Sequence, residues 1–109
     1  MKQYDAVILT LVAATLALPG AAHSADPFPK ADHAAGQRVF GEAKCNACHD
    51  KIMGGNGNRL FTRPERKVAS APALLKMVQF CVDRTGASVF PEDVEHIAAY
   101  LNRQFYKFE

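Results

Sequence analysis

Two cysteines three positions apart, with a histidine directly after the second, are the residues of this chain best suited to chemistry: Cys45-Asn46-Ala47-Cys48-His49. C-x-x-C-H is the attachment signal for c-type haem. The spacing has a chemical reason. Each thiol can form a thioether to a vinyl group on one porphyrin edge, and the adjacent His49 is then held under the iron as the proximal axial ligand. Other readings of the same residues compete with this one. A dithiol/disulfide redox pair belongs at a strand-to-helix turn in a βαβ pattern, and none follows here. A tetrahedral zinc site needs a fourth ligand, and no second C-x-x-C or paired-histidine cluster completes it. The remaining alternative is a chance match.

The segments around the motif must position it, and the first of them reads as an export signal rather than as fold. In residues 1–24, Lys2 supplies a thin positive start, weakened by Asp5, and Ala6 to Leu18 is a 13-residue apolar run. That run is shorter than the roughly 20 residues a membrane span needs. Pro19 and Gly20 break it, and Ala22-His23-Ser24 offers small residues for cleavage, placed after Ser24 with Ala22 as the nearby alternative. An uncleaved anchor is the competing reading. Export predicts a bacterial periplasm or its equivalent, the kind of compartment in which haem is attached to such motifs.

The mature chain is then 25–109, long enough for one domain and without a transmembrane segment. Twelve Lys and Arg stand against ten Asp and Glu there, a balance that gives no argument for nucleic acid. A chain this short has a marginal core and usually needs a metal, a disulfide or a cofactor as a staple. One covalently bound haem c would serve as an apolar plate on which helices pack.

Three helices are legible. Asp32 is a plausible N-cap for the first, whose Ala35, Val39, Phe40 and Ala43 share a face. Gly36 inside it costs about 1 kcal/mol relative to Ala, and is either tolerated or lets another helix cross closely. Ser70 looks like the N-cap of a second helix, in which Leu74, Met77, Val78 and Cys81 follow i, i+3, i+4, i+7 up to a stop at Gly86. A third starts near Pro91 with Glu92, Asp93 and Glu95 in its first turn, and buries Val94, Ile97, Ala98 and Leu101, extended by Phe105. Between them, Lys51 to Asn58 reads as a glycine-rich loop anchored by Leu60 and Phe61. Thr62 to Lys67 reads as a solvated basic run, with a docking patch for an acidic redox partner as the alternative. No segment reads as a strand, so the fold class is all-α.

With these elements placed, Gly36-Gln37-Arg38-Val39-Phe40 followed by Cys45-x-x-Cys48-His49 resembles the opening of monohaem cytochromes c, and the resemblance spans most of 31–104. It implies a cytochrome c-like fold of about three helices around the haem. It also implies that the last helix crosses the first, with an aromatic, here Tyr100, near the glycine. The family has a G-P-x-L segment whose proline carbonyl accepts the haem histidine's N–H. In Gly57-Asn58-Arg59-Leu60 an asparagine stands in the proline position. An acceptor that orients His49 is expected on general grounds, and the sequence does not name it.

The sixth ligand is the larger departure. Family members place a methionine in the loop before the C-terminal helix, and residues 82–90 hold no Met or His. Met53 is four residues beyond His49, too near to reach the opposite haem face. Met77 is the leading distal candidate, against ordinary core packing as its alternative role. His96, sharing a face with Asp93 and Tyr100, and His33 rank lower, and an open position is the further alternative. Phe80-Cys81 to Phe90 and Ala99-Tyr100-Leu101 also resemble a less common cytochrome group with a detachable His or Asn ligand just before the cysteine. Here that residue is Phe80, which cannot coordinate iron. Cys81 is left unpaired, as a small buried hydrophobe, a dimer disulfide or a reactive thiol.

The functional expectation is an exported monohaem cytochrome c that carries single electrons between periplasmic donor and acceptor proteins, including as the electron-accepting subunit of a dehydrogenase. No catalytic acid, base or nucleophile constellation appears, which argues against an enzyme acting alone. The alternative is a haem-based binding or sensing protein for a diatomic gas, with an open or labile sixth position.

Overall fold

The computed structural model describes residues 13–14 and 25–109, and among these every regular element is helical. The expected export signal, 1–24, lies outside the described residues except for Ala13 and Ala14. The elements are α1 (His33–Glu42), α2 (Asn46–Ile52), α3 (Arg59–Thr62), α4 (Ala71–Thr85) and α5 (Pro91–Leu101), which runs into a π-helical turn (Asn102–Tyr106).

The three long helices begin where local chemistry starts them. Asp32 has extended backbone and accepts the Ala35 N–H at 3.1 Å. That bond is the main reason the exposed Asp32 carboxyl lies below its ordinary range. Ser70 accepts from the Ala73 N–H at 3.2 Å, Pro72 fits the first turn of α4, and Gly86 closes that helix in the left-handed region at φ 66°. Pro91 opens α5, with Glu92 and Asp93 at the positive end of its dipole.

α5 is the element on which the others pack: α1, α4 and the π-helical turn all lie against it. Its Val94, Ile97, Ala98, Ala99 and Leu101 are buried, the three consecutive residues 97–99 because α5 is covered on more than one side. The closest approach is between α1 and α5. A Cβ on Gly36 would overlap the His96 backbone carbonyl, so the glycine is there for the crossing. One turn along α1, the Phe40 ring lies 5.6 Å from the Tyr100 ring, which is the aromatic contact expected near the glycine.

Several elements differ from the sequence reading. The motif itself folds as α2, which takes in Lys51 and Ile52 of the expected loop, and Leu60-Phe61 anchor the short α3, which takes in Thr62 of the expected basic run; such helices are stabilised by packing rather than by propensity. The stripe expected to continue through Phe105 as α-helix widens at Asn102 into the π-helical turn. Buried Asn102 explains the change. Its side chain donates to the Phe108 carbonyl at 3.0 Å and accepts from the Phe108 N–H at 2.8 Å, folding the C-terminus back onto the core. On α4, Leu74 and Val78 are buried but Met77 is 39% exposed, so Met77 lies off the packed face to which its spacing assigned it.

The glycines of α1 make opposite predictions. Gly36→Ala should lower stability by about 1–3 kcal/mol through overpacking, read as a lower urea midpoint. Gly41→Ala, where an added Cβ meets nothing within 4 Å, should raise it by about 0.5–1 kcal/mol.

Candidate functional site

The link from α1 to α2 sets where the motif emerges. The Ala43 N–H bonds the Val39 carbonyl, Lys44 turns through the left-handed region at φ 55°, and the Cys45 N–H bonds the Phe40 carbonyl at 3.2 Å. The chain re-enters a helix with Cys45 at its cap, so Cys45, Cys48 and His49 stand at i, i+3 and i+4 and share a face. Cys45 is half-buried and packs against the core, while Cys48 is exposed. Burial first, and then the neighbouring Cys81, push the Cys45 thiol above its ordinary range. Burial likewise raises Cys81. Desolvation holds His49 below its ordinary value, opposed in part by Asp50, and so favours the neutral imidazole that binds metals.

The loop after α2 is folded back against that helix. The Gly55 N–H bonds the Asp50 carbonyl at 2.7 Å, and the Gly57 N–H bonds Asp50 Oδ1 at 2.6 Å. Gly54 and Gly55 take the positive φ expected of them, but Gly57 serves differently. It is buried, and a Cβ there would come within 2.7 Å of His49 Cβ, 2.7 Å of Asp50 Oδ1 and 3.0 Å of Asn46 Cγ. This close approach delivers Asn58 to the motif, where its Oδ1 accepts from Asn46 Nδ2 at 2.7 Å. Asn46 Oδ1 in turn lies 3.2 Å from His49 Nδ1. With Asn46 Oδ1 facing the ring, an Nδ1–H tautomer makes this contact a hydrogen bond and leaves the lone pair on Nε2.

Behind the imidazole stands Phe61. Its ring meets His49 edge-on at 5.6 Å and also lies 5.3 Å from Phe105, 6.0 Å from Tyr106 and 6.1 Å from Phe40. The basic run that follows is not uniformly solvated. The Arg66 guanidinium covers the Tyr106 ring at 4.7 Å and donates to the Phe61 carbonyl at 2.9 Å. Among the described residues, Arg63 Nε is buried without a hydrogen-bond partner.

On the α4 side, Cys81 neighbours Cys45, and Met77 is one turn from Cys81, about 6 Å along the helix. Met77 and Phe80, at i and i+3, are both exposed, as is Ile52 on α2. The two other histidines weighed as ligands are elsewhere. His96 accepts the Asp32 N–H at 3.0 Å through Nδ1, and His33 lies 3.8 Å from Asp26. Both sit at the start of α1, about 15 Å of helix from its motif end.

Among the described residues, no three His, Cys, Asp or Glu side chains converge to hold a metal ion, so the motif is not a chelate by itself. No strand occurs among them to provide the strand-to-helix turn of a thioredoxin-like pair. None of their helices is long and apolar enough to cross a membrane. The donor set fits a haem held from one edge: two thiols and an imidazole on one helical face, the imidazole pushed by desolvation toward its neutral form. Sequence reasoning missed Asn46, Asp50 and Phe61 as parts of this site. The asparagine in place of proline at 58 was its one visible signal. No protein-family model, curated protein or solved structure matches this chain.

The Asp50–Gly57 bond should be what holds the loop on α2. Asp50→Ala should cost about 1.5–3 kcal/mol, the range for a hydrogen bond to a charged group. Hydrogen exchange at the Gly57 amide should quicken more than at α5 amides, and equal changes at both would show that the clasp is not local.

Proposed function

We propose that this chain is an exported monohaem c-type cytochrome of cytochrome c-like fold, carrying single electrons between donor and acceptor proteins of the periplasm. The observation that carries the reading is the C-x-x-C-H sequence placed on one face of α2, with His49 Nδ1 engaged by Asn46. Cys45 and Cys48 would hold haem c covalently, and His49 would be the proximal axial ligand. When bound, the haem iron supplies the one-electron step between its ferric and ferrous states.

What the chain's own residues do follows from their surroundings. Cys45 anchors the inner side of the motif against the core while Cys48 faces outward. Phe61 backs the imidazole with an apolar wall, and the Gly57 loop limits how far α2 can shift. Desolvation of His49 favours its neutral, ligating form. Met77 is the proposed distal ligand. Its exposure frees it from the core, and its helix carries Cys81 to the side of Cys45. The exposed Met77 and Phe80 are apolar surface that a bound haem would have reason to cover.

The purified exported protein should have the mass of the cleaved chain plus one haem, and Cys45→Ala/Cys48→Ala should lack it. Free thiols at both positions in the mature protein would overturn haem attachment. In the oxidised protein a far-red thioether–iron band should be present and absent in Met77→Ala. A five-coordinate high-spin spectrum would remove the Met77 assignment and favour a gas-binding role with an open sixth position.

A further inference from the structure

The two asparagines beside the motif have a geometry that the attachment signal does not require. C-x-x-C-H leaves the residue after the first cysteine unspecified, yet here Asn46 reaches both forward to His49 and across to the loop. Its Oδ1 lies 3.2 Å from His49 Nδ1, and its Nδ2 donates to Asn58 Oδ1 at 2.7 Å. The two contacts share one amide, so their directions are set together. With Nε2 as the ligating nitrogen, Nδ1 carries the proton, only the Asn46 oxygen can accept it, and Nδ2 is then left to donate to Asn58. Asn58 is itself held because buried Gly57 lies against Asn46, His49 and Asp50, with its N–H on Asp50 Oδ1.

We propose that Asn46 and Asn58 form a two-amide relay that holds His49 with its proton on Nδ1, fixes the plane of its ring and sets its donor strength toward the haem iron. The inference rests on the haem reading of the site and adds to it the residues that tune the proximal ligand. A metal-bound histidine's orientation and basicity are set by the group that accepts its other N–H. A neutral amide oxygen accepts more weakly than a carboxylate. Asn46 therefore places His49 at a moderate donor strength. Asn58 acts through Asn46 and touches neither ligand nor haem, so both asparagines are positioning residues.

The order of potentials follows from charge. A more basic imidazole stabilises the ferric state over the ferrous one and lowers the reduction potential. Asn46→Asp, with a charged acceptor at the same place, should lower it. Asn46→Ala, with no acceptor, should raise it. Asn58→Ala, which frees the Asn46 amide to rotate, should raise it less.

The test uses the purified haem-loaded protein and the three variants. Mass spectrometry first establishes one covalent haem on each, and spectroelectrochemical titration then gives the potentials. The expected order is Asn46→Ala above Asn58→Ala above the unsubstituted protein above Asn46→Asp. The extremes should differ by roughly tenfold or more in the reduction equilibrium, or about 59 mV for a one-electron couple. In the reduced protein the His49 Nδ1–H resonance should exchange slowly with solvent, and faster in Asn46→Ala and Asn58→Ala. Equal potentials in the unsubstituted protein and loaded Asn46→Asp would overturn the relay, whether or not Asn46→Ala loads. An unsubstituted protein that carries no haem would instead overturn the cytochrome reading itself.

Discussion

The crossing of α1 and α5 is the constraint from which the rest of the structure follows. Because Gly36 has no side chain, the His96 carbonyl of α5 can occupy the space a Cβ would take. The two helices then bury a shared face that includes Val39, Phe40, Ile97 and Ala98. The crossing also orients α1 over its length, and α1 ends three residues before Cys45. A helix axis fixed at one end by backbone contact carries the motif at the other with little freedom to swing. The His96 side chain adds to this by accepting the Asp32 N–H, so one residue of α5 meets α1 through both its carbonyl and its ring.

From that fixed axis the site is assembled by two short-range devices of different kinds. One is apolar. Phe61 touches the rings of Phe40, Phe105, Tyr106 and His49, linking α1, the C-terminal turn and α2 in one aromatic cluster. The other is polar. Asp50 holds the Gly57 N–H, and the next residue, Asn58, bonds Asn46, whose amide also meets His49. The apolar contacts are non-directional and place the imidazole. The hydrogen bonds are directional and set how the loop and the Asn46 amide stand against the imidazole.

The parts of this arrangement that sequence reveals are those with a local code. Asp32, Ser70, Gly86 and Pro91 mark helix ends because caps and left-handed stops act over a few residues, and the structure uses all four. The long helices and the C-x-x-C-H motif are legible for the same reason. Contacts between segments are not. Nothing near Phe61 says that it will meet His49, Phe105 and Tyr106, or that Arg66 will lie over Tyr106 rather than in solvent. The spacing of Leu74, Met77 and Val78 is compatible with one buried face, but the packing of α4 covers Leu74 and Val78 and leaves Met77 at its edge. Asn102 widens the last helix through bonds to Phe108, six residues later, and no periodicity announces that.

The uneven covering of α4 bears on how the proposed cofactor and the fold would depend on each other. A domain of this size buries a smaller share of its surface than a larger one, and its stability is correspondingly marginal. Here the helices themselves leave Met77 and Phe80 uncovered on α4, and Ile52 on α2. An apolar plate tethered at Cys45 and Cys48 would extend the buried surface from the α2 side, and its benefit would fall on surface that the described helices leave exposed. Cofactor attachment and folding would then be coupled in this chain, with α4 gaining more than α1 and α5. The α1–α5 crossing rests on backbone proximity and needs no ligand, so it would persist as the stable part of the fold while the Met77 face responds to what is bound.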